Sequence, residues 1–135
     1  PAVGGDLLTT FSPTITANTV GNLVVTYNAG NKHYQHAVGS VCHVFGCFDV
    51  TITYTTAGSY LIFAGFPQNQ AIRWKIAITG ADGGSALTKK LASFALNANG
   101  YDGIAYDEND DLVYITDIPT GTTLQIFYDG WYAKA

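Results

Sequence analysis

Asp49-Val50-Thr51-Ile52-Thr53-Tyr54 alternates polar and apolar side chains at every step, and that period of two decides the fold class. Val50, Ile52 and Tyr54 share one face of an extended chain, and Asp49, Thr51 and Thr53 share the other. The run closes the longest predicted strand, Val41 to Tyr54, which ends at Ala57-Gly58. Upstream, Leu23 to Tyr27 reads as a strand stopped by Asn28-Ala29-Gly30-Asn31, and His33 to Val38 as another stopped by Gly39-Ser40. Downstream, Ser59 to Ala64 is short and apolar enough to be buried on both faces, and Gly65-Phe66-Pro67 ends it. Ala71 to Thr79 then sets Ile72, Trp74, Ile76 and Ile78 on one side and Arg73 and Lys75 on the other.

Gly80-Ala81-Asp82-Gly83-Gly84-Ser85 reads as a long flexible loop. In Ala86 to Asn97, Leu87, Leu91, Phe94 and Ala95 fit a helical face, but the surroundings favour a strand from about Leu91. Tyr101 to Tyr106 and Leu112 to Asp117 read as two strands flanking a solvated turn, Asp107-Glu108-Asn109-Asp110-Asp111. Ile118-Pro119-Thr120-Gly121 carries the Pro and Gly of a type II turn. Thr122 to Tyr128 is the last long strand, with Asp129-Gly130-Trp131-Tyr132 behind it. Residues 1–19 read as a leading segment, a linker or edge strand, and residues 20–135 as one domain. Eight or nine strands without helix pairs predict an all-β sandwich of jelly-roll type.

Composition narrows the function. Charged residues make up 12% of the chain, about half the usual ~25%, so part of the exterior is expected to be covered by self-association. The net charge of −4, with the six Lys and Arg scattered, argues against nucleic acid, which needs a basic stripe. No apolar run approaches the roughly 20 residues of a membrane span, and no signal-peptide pattern opens the chain. Pro1 is expected to follow a removed Met or to continue a longer protein. Cys42 and Cys47, five apart on one strand, face opposite sides about 16 Å apart. Two free thiols, suited to a reducing compartment, are therefore expected.

Catalytic and metal chemistry find little footing. His33, His36, Cys42, His43 and Cys47 gather the chain's metal-binding side chains, but Cys42 and His43 point to opposite faces, as do His33 and His36. Asp107, Asn109 and Asp111 imitate positions one, three and five of a calcium loop, yet Leu112 stands where a Gly is needed and no Glu closes it. A calcium site in this loop would need completion by Asp102, and a solvated acidic turn is the expected reading. Ser85 lacks a nucleophile elbow, and Gly80 to Gly84 lacks the Lys and helix of a phosphate loop. Asp102, Asp107, Glu108, Asp110 and Asp111 crowd a polar turn, not the apolar pocket that lifts a catalytic pKa. The expectation is a non-enzymatic chain with no cofactor and no metal.

Binding is better equipped. Nine Tyr and two Trp are present, several beside Asp, and such pairs suit sugars: the ring takes the apolar sugar face while the carboxylate accepts from hydroxyls. The candidate ligand-binding residues are Tyr101 and Asp102, Tyr106 and Asp107, then Asp129, Trp131 and Tyr132.

Several turns carry a resemblance. Val24-Val25-Thr26-Tyr27, Tyr34, Val38-Gly39-Ser40-Val41 and Val44-Phe45-Gly46 with Phe48-Asp49-Val50-Thr51 resemble the tip domains of bacteriophage tail fibres. Gly65-Phe66-Pro67 stands at the corner where those domains turn, and Asp117-Ile118-Pro119-Thr120-Gly121-Thr122-Thr123-Leu124 is similar to their turn before the final strand. Ala57-Gly58-Ser59-Tyr60 and the Ile-Pro-x-Gly turn also resemble C1q/TNF-like trimeric jelly rolls. The resemblance covers residues 23–132 through turn and strand signatures. It implies a homotrimeric, non-catalytic domain at a virion surface, assembled in the host cytoplasm and recognising a host glycan or protein receptor. The other roles it leaves open are a capsid decoration, head-fibre or trimerisation module, and a C1q/TNF-like lectin. No family residue carries over as a binding residue.

Overall fold

The computed structural model describes residues 8–18, 23–55, 59–67, 69, 72–82 and 87–134. They form an all-β, jelly-roll-like sandwich, built from one antiparallel sheet that curls until its halves face each other. The strands are β1 (Thr9–Thr10), β2 (Thr14–Ala17), β3 (Val24–Tyr27), β4 (Lys32–Val38), β5 (Val41–Thr53), β6 (Leu61–Ala64), β7 (Trp74–Asp82), β8 (Leu91–Leu96), β9 (Gly103–Asp107) and β10 (Thr122–Ala133). Their spatial order is β1-β4-β5-β10-β7-β8-β9-β6-β2, with β3 also on β5. A single sequential meander would not place β10 between β5 and β7, so the chain crosses between layers.

The even-numbered residues of β5 point inward, and the alternation is kept along its whole length: Cys42, Val44, Phe48, Val50 and Ile52 are fully buried. Leu124, Ile126, Tyr128 and Tyr132 of β10 continue the same face. Opposite them stand Leu61 and Phe63 of β6 and Phe94 and Leu96 of β8. The layers meet in an aromatic core: Phe48 lies 5.0 Å from Phe63, and Phe63 and Phe66 each lie 5.0 Å from Phe94, centroid to centroid. Each such side chain contributes roughly 1.5–3 kcal/mol by leaving water, so this cluster dominates the cohesion of the sandwich.

Turn chemistry fixes the registers. Val38 pairs with Val41 across Gly39-Ser40, and Gly39 has a φ of 60°, the glycine-first geometry of a tight hairpin. β3 and β4 run end to end along one edge of β5, separated by the kink Asn28–Asn31. Asp49 pins that kink, accepting hydrogen bonds from Gly30 N at 3.0 Å and, through its other oxygen, from Gln125 Nε2 at 2.9 Å. The Gln125 bond is the main reason the Asp49 carboxyl lies below its usual range.

Several expected boundaries move. Leu91–Leu96 is a strand, but Leu112 and Tyr114 make only isolated bridges, and Ile115–Asp117 is a 3-10 turn in place of a strand end. The cause is local: Asp117 Oδ2 accepts from Tyr114 N at 2.8 Å and closes the turn on itself. Gly80-Ala81-Asp82 finishes β7, leaving residues 83–86 outside the described set. The type II turn sits one residue later than predicted, with Thr122 N bonded to Pro119 O and Gly121 holding the positive φ of 85°. Ile72 and Trp74 are not core residues, being 50% and 38% exposed. Ile72 precedes β7 and Trp74 opens it, beyond Ala77, where the pairing with β10 ends. Thr9–Thr10 and Thr14–Ala17 are short strands at the two ends of the sheet, while residues 1–7 and 57–58 lie outside the described set. Both cysteines are free, Cys42 buried and Cys47 half-buried on the opposite face.

Candidate ligand-binding face

The outward residues of β4, β5 and β10 line up in rows set by strand register. One row is His36, His43, Trp131; the next is Tyr34, Phe45, Asp129; the third is Lys32, Cys47, Phe127. β7 extends the middle row with Ala77. Period-two alternation puts all ten on the side away from the core.

The rings on this face touch one another. Tyr34 stacks on Phe45 at 5.4 Å, Phe45 lies 5.0 Å from His43, and His43 stacks on Trp131 at 4.4 Å with the planes 2° apart. His43 Nε2–H donates to Asp129 Oδ1 at 2.5 Å, which fixes the imidazole beneath the indole. Trp131 and Phe127 nevertheless remain 47% and 45% exposed. A shallow groove of about 370 Å³ runs between Lys32, Tyr34, Phe45, Phe127 and Asp129. The arrangement offers aromatic rings for a flat apolar face, a carboxylate to accept hydrogen bonds and one ammonium to donate them.

The sequence-nominated residues do not form one site. Asp129 and Trp131 belong to this face. Tyr106 faces the same way on β9, but the register runs Asp129–Ala77–Ser93–Tyr106, three strand spacings or about 14 Å away. Its ring is also occupied: Arg73 and Lys75 lie 5.2 and 5.3 Å from its centroid, and its hydroxyl accepts from Arg73. Tyr101 and Asp102 are exposed on the β8–β9 connection at one end of the sandwich.

Asp107 and Tyr132 are corrections. Asp107 is buried, and its Oδ1 accepts from Asn109 N and Asp111 N, both at 2.9 Å, so the carboxylate shapes the turn. Tyr132 is 1% exposed, and its hydroxyl donates to Pro67 O at 2.6 Å, out of a ligand's reach. Tyr132→Phe is therefore expected to lower stability by about 1 kcal/mol and to leave ligand binding unchanged, as denaturant unfolding and a binding titration of the same variant would show. Among the described residues, no three His, Cys, Asp or Glu side chains come together as a metal site requires. No helix among them is long and apolar enough to cross a membrane.

Tyr34, His43, Phe45 and Phe127 are not among the ligand-binding candidates of the sequence, although each sits at the outward phase of an expected strand. Comparison with protein-family models, curated proteins and solved structures finds no match to this chain.

Proposed function

We propose that this protein is a non-catalytic adhesion domain, of the kind that ends bacteriophage tail fibres, which trimerises and binds a host-surface glycan through the outer face of β4, β5 and β10. One observation carries the reading: Trp131 stands 47% exposed, held parallel on His43 beside Asp129. An indole so placed gives a rigid surface to the C–H face of a sugar ring, and the neighbouring carboxylate accepts from its hydroxyls. The sparse charge of the chain, 12%, supports association of copies at a virion surface.

Trp131→Ala is expected to weaken glycan binding at least tenfold while leaving the fold intact, because the side chain is outward and the core does not use it. A glycan array probed with both proteins checks this; equal retention of the variant would remove the face from the reading.

A second reading has its own support in the low charge of the same face. Twelve residues of β10 by three strands span about 40 by 14 Å, the larger part of the ~800 Å² per partner of a standard protein interface. The face would then join copies or other virion proteins, as in a capsid decoration or trimerisation module. Trp131→Glu separates the two readings: it reduces the molar mass of the assembly only if the face is an interface.

A further inference from the structure

We propose that the glycan bound by this face carries a carboxylated sugar, whose acid group pairs with Lys32; the inference rests on the adhesion reading above and names its ligand class. The groove on the outer face does not end at Lys32. A second hollow of about 320 Å³ opens on the far side of the same residue, between Thr10, Phe11 and Ser12 and the start of β4. Lys32 and Tyr34 line both spaces, so groove and hollow adjoin along that one edge.

Lys32 is the only cation lining either space and forms no ion pair among the described residues. The acid of the groove, Asp129, lies one row along and two strands across, about 10 Å or more away, and is already bonded to His43. A negative group at Lys32 thus meets an unpaired ammonium.

The floor of the hollow is built for hydroxyls. His33, 3% exposed, bonds to Tyr128 through Nδ1 at 2.8 Å and to Asn31 Oδ1 through Nε2 at 2.9 Å. Asn31 Oδ1 can only accept, so Nε2 carries the proton and Nδ1 accepts from the Tyr128 hydroxyl. That network turns the amide oxygen of Asn31 inward and leaves its NH₂ group to donate. Thr10 and Ser12 add hydroxyls, and Tyr34, shared with the groove, adds a ring. One exposed ammonium binds a simple anion too weakly to matter, so the hydroxyl and ring contacts must supply the rest. A sugar acid meets all three demands.

The test is calorimetric titration with oligosaccharides ending in a uronic or sialic acid, each beside its carboxyl-reduced form. The wild-type chain is expected to favour the acid form about fivefold, the size of one exposed ion pair. Lys32→Gln should bind both forms alike, and Lys32→Glu should reverse the preference. Equal wild-type affinity for the two forms, or a preference that survives Lys32→Gln, overturns this inference and leaves the adhesion reading standing. Binding to neither form overturns this inference, and absence of wild-type binding to every sugar of the glycan array overturns the adhesion reading with it.

Discussion

Gly46→Ala is expected to cost about 3 kcal/mol of stability, although it adds one methyl group to a strand. A Cβ at this position would stand 2.5 Å from Lys32 O and 2.9 Å from His33 Cα, both backbone atoms of β4. Neither can swing aside as a side-chain end would, so relief requires β4 to part from β5. Gly46 sits opposite both His33 and Tyr128, and its missing side chain is what lets their rings meet across β5. The displaced β4 would also carry Lys32 and Tyr34 away from Phe45, so binding should fall with stability. Urea unfolding of the variant checks the energy; a loss under about 0.5 kcal/mol would show that the ladder yields easily.

The second large effect is acid lability centred on His33. Burial pulls its pKa from the usual 6.5 down to about 4. The neutral ring suits the network, since Nδ1 must stay bare to accept from Tyr128, whose own hydroxyl burial keeps protonated well above the ordinary phenol range. Because the folded chain binds this proton less readily than the unfolded one, stability is complete above pH 6.5 and falls as the pH drops toward 4. Shifts of this size correspond to about 3 kcal/mol, most of it lost by pH 4.5. His33→Phe should be less stable at pH 7, with Tyr128 left unpaired, yet lose less than the wild type on acidification. Matched denaturant midpoints at both pH values measure the difference, and parallel losses in the two proteins would assign the acid sensitivity elsewhere.

The fold was legible because alternation is a local signal. Val50, Ile52 and Ile76 declare their inward phase to any reader who assumes a strand, and Gly39 and Gly121 mark turns that need a positive φ. What was not legible depended on which strand lay beside which. Ile72 and Trp74 keep the apolar phase of Ile76, but only register shows that pairing with β10 stops at Ala77. The site suffered from a different error, in which Asp129-Gly130-Trp131-Tyr132 was read as a cluster by adjacency. Period two splits it: Trp131 and Asp129 go outward with Phe127, and Tyr132 goes inward with Tyr128. Applied to β10 alone, that rule finds Phe127, Asp129 and Trp131, one residue in each row of the face. Tyr34 and Phe45 meet across a local hairpin, but joining them to Asp129 and Trp131 needed the long-range fact that β5 and β10 are neighbours, which no local pattern encodes.

The central claim, that the Trp131 face takes a sugar, is tested most directly by the emission of that one indole. Trp74→Phe leaves Trp131 as the sole tryptophan, since the chain has two. Titration of this variant with host-surface polysaccharide and its acid and neutral fragments should give a saturable change in emission, and the same ligands should bind Trp131→Ala at least tenfold more weakly on the array. Binding that saturates on the array while the Trp131 emission stays flat would place the ligand elsewhere on the sandwich and contradict the account.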